Sequence, residues 1–161
     1  MVKFRAACPE DVDAIVALNE SVVQVTSPMD RGRFMELQEI SNSCIVAEQD
    51  NMVIGFVLTM DDGASYENQN FEWFCRQVDS FIYVDRIVIG ELGRGKGLGR
   101  SLYTLVMEDA AQRGYRSIVA EIDLTPPNTE SLNFHAKMGF VELGSQQLAS
   151  GKTVSMQVRQ L

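Results

Sequence analysis

The apolar positions along the chain change period several times, and each change marks an element. Residues 2–6 read as a short strand with Arg5 between apolar neighbours. Pro9, Glu10 and Asp11 are residues favoured in a first helical turn, and Val12, Ile15, Val16 and Asn19 follow at helical spacing, so a helix is expected to end near Val22 or Val23. After a break at 26–30, Phe34, Leu37 and Ile40 recur every three residues and predict a second helix over 33–40. Runs 44–49 and 52–60 are rich in β-formers and flank Asp50-Asn51, which reads as a hairpin. Gly55 inside the second run predicts a bulge or a close backbone approach.

Residues 61–78 show no clear period, and Tyr66, Phe71, Trp73 and Phe74 lie there among polar residues. Two readings stay open: a substrate-covering loop whose aromatics line a pocket, or a short helix that packs Phe71, Phe74 and Val78 on the core. Residues 81–89 read as a central strand, and two-residue alternation puts Phe81, Tyr83, Asp85, Ile87 and Ile89 on one face. A helix from Leu98 to Arg113-Gly114 follows, then a strand over 117–124 stopped by Thr125-Pro126-Pro127. A helix capped by Asn128 or Thr129 runs to Gly139, and strands over 140–147 and 153–158 form a hairpin about Ser150-Gly151-Lys152. The order βααβββαβαββ predicts an α/β fold with a mixed central sheet of about 6–7 strands flanked by about four helices.

A chain of 161 residues suits one domain, 1–161, around one core. No apolar run approaches the roughly 20 residues of a membrane span and no charged-then-apolar leader opens the chain, so no membrane partner is expected and the cytoplasm is the default compartment. Cys8, Cys44 and Cys75 are odd in number and lack ligand spacing, which points to neither a disulfide framework nor a metal site. Fourteen basic against 22 acidic residues give a net charge of −8, which argues against nucleic acid and favours a cationic small molecule or basic peptide.

Against that acidic background Arg94, Lys96 and Arg100 cluster in a turn holding five glycines between Gly90 and Gly99, directly before a helix. The first helical turn has unpartnered N–H groups and partial positive charge, and glycine lets a phosphate approach them, so this stretch suits a pyrophosphate. Gly90-x-x-x-x-Gly95-Lys96 is followed by Gly97, which lacks the hydroxyl that a Walker loop needs for magnesium. Gly95-x-Gly97 is followed by Arg100 where a dinucleotide fingerprint needs glycine.

Arg94-x-x-Gly97-x-Gly99 closely resembles the acyl-CoA pyrophosphate loop of the GNAT superfamily of N-acetyltransferases, and the segment from Asn128 through Ser131, Phe134 and His135 to Gly139-Phe140 is similar to that superfamily's second signature. The resemblance covers nearly the whole chain, by motif over 81–140 and by element order before that. One departure is His135, where the family usually has tyrosine.

The resemblance implies transfer of an acetyl group from acetyl-CoA to an amine of a small molecule or peptide by direct attack, with no metal. It implies a cofactor site made by Arg94, Gly95, Lys96, Gly97, Leu98, Gly99 and Arg100 at the pyrophosphate, Ile87, Val88 and Ile89 along the pantetheine, and Asn128 and Ser131 nearby. The two N-terminal helices and the loop joining them would form one wall of the acceptor site.

Removal of a proton from the acceptor ammonium needs a base, for which Asp85 is the first candidate. Its alternative is an ion pair with Arg86 or Arg5; Glu121 and Asp123 are alternative bases. His135 is the candidate acid for the leaving thiolate, or else caps coenzyme A or packs. Asn128 serves equally well as a helix cap. Tyr83, Phe74, Trp73 and Glu121 are candidate acceptor contacts, while Tyr103 reads as core. The final hairpin is where a homodimer contact would lie. Two other classes remain: a non-catalytic acyl-CoA-binding sensor, and a nucleotide-binding protein that uses the same turn.

Overall fold

In the computed structural model, which describes residues 1–161, the chain runs β1 (Lys3–Ala6), α1 (Val12–Glu20), α2 (Arg31–Ile40), β2 (Ser43–Gln49), β3 (Met52–Asp61), α3 (Gln69–Gln77), β4 (Phe81–Ile89), α4 (Leu98–Gln112), β5 (Ser117–Asp123), α5 (Thr129–Lys137), β6 (Val141–Gln147) and β7 (Thr153–Gln160). The order expected from the sequence lacked α3. That helix is mostly polar with Phe71 and Phe74 buried, and the Asn68 side chain caps it by accepting from the Phe71 N–H at 3.0 Å. No helix is long and apolar enough to cross a membrane.

Seven strands form one mixed sheet in the order β1-β2-β3-β4-β5-β7-β6. Only the β4–β5 pair is parallel. Asp50 and Asn51 both take positive φ, 52° and 63°, which is the two-residue turn whose twist suits a hairpin. Beside Gly55 the β2–β3 register slips by one residue, and a Cβ on Gly55 would lie 3.1 Å from the Val88 carbonyl oxygen. The bulge and the close approach expected there are both present.

Alternation along the strands sends Phe56, Leu58, Phe81 and Tyr83 to a core under α1, α2 and α3, where they meet Ile15, Phe34, Leu37 and Phe74. The other face sends Val57, Ile82, Val84, Ile118 and Ala120 against Leu102, Tyr103 and Val106 of α4. The expected single face of β4 does not survive. Leu58 pairs with Arg86 and Thr59 with Val84, so Asp85 is an extra residue in a β-bulge. Val88 therefore joins the first core with Phe81 and Tyr83, while Ile87 and Ile89 pack with the second. Asp85 does not share a face with Ile87 and Ile89 as strict alternation required; the bulge turns it the other way.

The bulge also buries Arg86 beside Asp85, at 4% and 3% side-chain exposure. Arg86 Nε donates to Asp85 at 2.7 Å, Nη1 to Asn19 Oδ1 and to the Ser27 carbonyl at 3.0 Å, and Nη2 to Ser27 Oγ at 2.9 Å. One guanidinium thus ties the central strand to α1 and to the loop that leads to α2. A buried charge is tolerated when every donor is matched, and removing one partner strands the other. Arg86→Met is expected to cost about 3–5 kcal/mol in urea denaturation, and Asp85→Asn added to it to recover part of that loss. A cost under about 1 kcal/mol would mean that Arg86 does not hold these elements together.

Candidate active site

β4 and β5 are hydrogen-bonded neighbours only at Phe81 to Tyr83, which face Ser117 to Val119. Beyond Tyr83 they part, β4 staying with β3 and β5 with β7 along its whole length. The edge of β4 that carries Ile87, Val88 and Ile89 therefore has no strand partner on the β5 side. A cleft of about 580 Å³ opens there, lined by these residues and, on the β5 wall, by Ala120, Glu121, Ile122 and Asp123.

Directly after Ile89, the last residue of that edge, the chain enters the glycine turn. Gly95 and Gly97 have φ of 75° and 70° with nothing near an added Cβ, so their conformation rather than crowding demands glycine. Gly99 is different, since a Cβ there would lie 3.2 Å from the Phe134 ring of α5. The N–H groups from Gly95 to Arg100 make no backbone hydrogen bond, and the first bond of the following helix comes from Ser101 to the Gly97 carbonyl. Arg94, Lys96 and Arg100 belong to the same turn and helix start, with Lys96 donating to Gln49 at 2.7 Å and the two arginines making no ion pair. A run of free amides at a helix start, flanked by cations, fits a pyrophosphate.

Deeper in the cleft the carboxylates have unequal surroundings. Asp85 accepts from the Tyr66 hydroxyl at 2.5 Å on one oxygen and from Arg86 on the other. Glu121, half-buried on β5, accepts from the Tyr83 hydroxyl at 2.9 Å on Oε1. Its Oε2 is buried without a partner in hydrogen-bond geometry, although the Asn70 amide is close enough to favour the charged form. Burial first, then the charge of Asp85, pushes the Glu121 carboxyl up to about 8 against the opposing hydrogen bond from Tyr83. Burial likewise holds the hydroxyls of Tyr66 and Tyr83 well above the usual phenol range, so both act as fixed donors. Asp123 is ion-paired with Lys152 at 2.9 Å.

His135 is buried on α5 among Tyr103, Phe134 and Phe140. Its Nδ1 lies 2.8 Å from the Ser131 carbonyl, which can only accept, so Nδ1 carries the proton. Nε2 then accepts from the Tyr103 hydroxyl at 2.6 Å. Burial lowers the imidazole pKa and favours this neutral form. Both ring nitrogens are thus engaged within the protein. Tyr103 is core, as expected from the sequence, yet it also reaches the cleft wall.

Of the expected acceptor contacts, Glu121 lines the cleft and Tyr83 touches it only through Glu121. Phe74 is buried in the first core, and Trp73 packs against Phe74 and Gly144 on β6, so neither lines the cleft. The helix at 69–77 draws both rings away from it. The loop after α1 does contribute a wall through Val22, Val25 and Ser27, and Asn68 and Asn70 come from the segment before and within α3. Asn128 uses its side-chain oxygen to cap α5 at the Ser131 N–H, 3.2 Å away, while both residues line the cleft. The Tyr66 and Lys152 partners of the carboxylates had no sequence signal, since each pair joins residues 19 or more apart.

A family model described as Acetyltransferase (GNAT) family matches residues 13–140. Glucosamine 6-phosphate N-acetyltransferase 1 of Oryza sativa subsp. japonica is 30% identical over 116 residues, covering 72% of this chain and 64% of that protein. Phosphinothricin N-acetyltransferase of Streptomyces viridochromogenes is 29% identical over 108 residues, covering 67% and 52%. The chain thus spans between about half and just under two-thirds of the curated relatives it matches. The structure of yncA from Salmonella typhimurium with its cofactor acetyl-CoA shares the fold, with a TM-score of 0.74, 20% identity and coverage of 100% of this chain and 94% of that one.

The raised Glu121 carboxyl has a consequence for stability. An unfolded glutamate ionises near 4.5 and the folded one near 8, so between these values the unfolded chain releases its proton first and native stability falls as pH rises. Glu121→Gln cannot ionise and removes this penalty. Its melting temperature relative to the parent is expected to climb from pH 4.5 to pH 8, read by calorimetry. A gap independent of pH would show that the carboxyl is not perturbed.

Proposed function

The chain belongs to the acetyltransferase (GNAT) family, and we propose that it transfers an acetyl group from acetyl-CoA to the amine of a small molecule or peptide by direct attack. The observation that carries this reading is the run of free amides from Gly95 to Arg100, in the turn that follows the unpaired edge of β4 lining the cleft. Those amides, with Arg94, Lys96 and Arg100, would hold the pyrophosphate. The free edge at Ile87, Val88 and Ile89 would take the pantetheine as an added strand, with Asn128 and Ser131 on the facing wall. A backbone N–H near Ile87 would stabilise the negative charge that develops on the thioester oxygen. Acetyl-CoA itself supplies the activated acyl group.

For the base we favour Glu121 over Asp85. Asp85 has an oxygen committed to Tyr66 and another to Arg86, whereas Glu121 has a bare oxygen and a carboxyl that titrates near the working pH. Glu121 would take one proton from the acceptor ammonium. A second proton, shed by the nitrogen as the amide forms, would neutralise the leaving sulfur. His135 in its neutral form donates to Ser131 and so would orient the Tyr103 hydroxyl rather than deliver a proton.

A second copy of the chain is the protein partner we assign to the edge strand β6, which has Val141 and Leu143 exposed and pairs only with β7. The commitment of both Asp85 and His135 also supports the second reading, a non-catalytic acyl-CoA sensor. The cytoplasm is the compartment in which this co-substrate would be met.

Calorimetric titration with acetyl-CoA, with NAD and ATP as controls, followed by thiol release against a panel of amines, separates these readings. Acetyl-CoA is expected to bind alone and turnover to follow; binding with no turnover would favour the sensor. With a good acceptor, kcat/KM should rise about tenfold per pH unit below about 8 and level above it. Glu121→Gln should lower kcat about a hundredfold or more and abolish that limb. An unchanged pH profile in the variant would remove Glu121 from the mechanism.

A further inference from the structure

The cleft differs in charge from the glycine turn that follows its Ile89 edge. Among the residues lining the cleft the cations are Arg86 and Lys152, and the carboxylates are Asp85, Glu121 and Asp123. Arg86 is buried, and every one of its nitrogens is already donating to Asp85, Asn19 or Ser27. Lys152 is ion-paired with Asp123. Neither cation is therefore free for a ligand. The remaining acceptor wall is apolar or neutral, with Val22, Val23 and Val25 from the loop after α1, Leu148 from the last hairpin, and the Asn68 and Asn70 amides.

Resting on the acetyltransferase reading, we propose that the acceptor is a primary amine on an uncharged, largely apolar body, with no carboxylate or phosphate beside it. An anionic group on the acceptor would have to displace Asp123 from Lys152 or lie against Glu121 and Asp123 without a counter-ion. Desolvated like charges a few ångströms apart are strongly unfavourable. An ammonium head meets the opposite situation, since it arrives beside the unpartnered oxygen of Glu121. The valines and Leu148 would then cover the apolar body of the amine. Free positive charge is kept for the turn after Ile89, at Arg94 and Arg100, where the pyrophosphate would lie.

The test uses matched amines that differ by one anionic group: 2-phenylethylamine against phenylalanine, and glucosamine against glucosamine 6-phosphate. Each is assayed with acetyl-CoA by thiol release, after calorimetry has established that acetyl-CoA binds. The uncharged member of each pair is expected to have the higher kcat/KM by about tenfold or more, about what one modest charge conflict is worth. Asp123→Asn, which releases Lys152, should shift both ratios toward the anionic member. Lys152→Gln, which leaves Asp123 in place, should shift them the other way, and it serves as the check if the first variant does not fold. Equal or inverted ratios in the wild type overturn the proposal. So does acetyl-CoA binding without turnover of either uncharged amine. Failure to bind acetyl-CoA would instead overturn the acetyltransferase reading, and this inference with it.

Discussion

The parting of β4 from β5 is the constraint on which the rest of the structure depends. Two neighbouring strands in the middle of a sheet ordinarily continue to pair, because an unmatched backbone amide inside a protein is costly. Here the pairing stops after Tyr83, and the bulge at Asp85 shifts the strand just beyond that point. The cleft is thus made of hydrogen bonds that folding leaves unmade. The sheet stays intact because β3 and β7 complete the outer sides of the two strands. Arg86 ties β4 to α1 on the side facing that helix.

The electrostatics of the cleft follow from the same geometry. Where β5 leaves β4, Glu121 is carried into a space bounded by Tyr83 and Asp85, too poor in water to hold its charge cheaply. Beyond Ile89 the chain leaves β4 through a glycine turn and enters α4 with its first amides bare. The Glu121 end of the cleft therefore favours a proton on a carboxyl, and the turn beyond Ile89 favours an anion. Folding stability is reduced at the first end, and a chemically useful group is retained there.

Much of this was legible from residue order. The glycine turn, the helix caps at Asn128 and Gly139, the Asp50-Asn51 hairpin and the irregularity at Gly55 depend on local backbone requirements, which the sequence carries directly. The face of Asp85 was not legible, because a bulge shifts the two-residue period without a glycine or proline to announce it. The helix at 69–77 was obscured by its polar composition, so Phe74 and Trp73 belonged to the core and not to the cleft. Partnerships such as Tyr66 with Asp85, or Tyr103 with His135, join positions far apart in the chain and exist only once the sheet is built.

The single guanidinium of Arg86 also sets where this protein has freedom to diverge. Any change at Arg86, Asp85, Asn19 or Ser27 disturbs an ion pair, one helix-to-strand hydrogen bond and two loop-to-strand hydrogen bonds together, so this network is frozen as a unit. Val25 and Ser150 are exposed at the outer rim, and neither belongs to that network. Descendants of this chain that acquire new acceptors should therefore differ first at these two rim positions and keep the four networked residues, so that specificity drifts where no buried charge depends on the side chain.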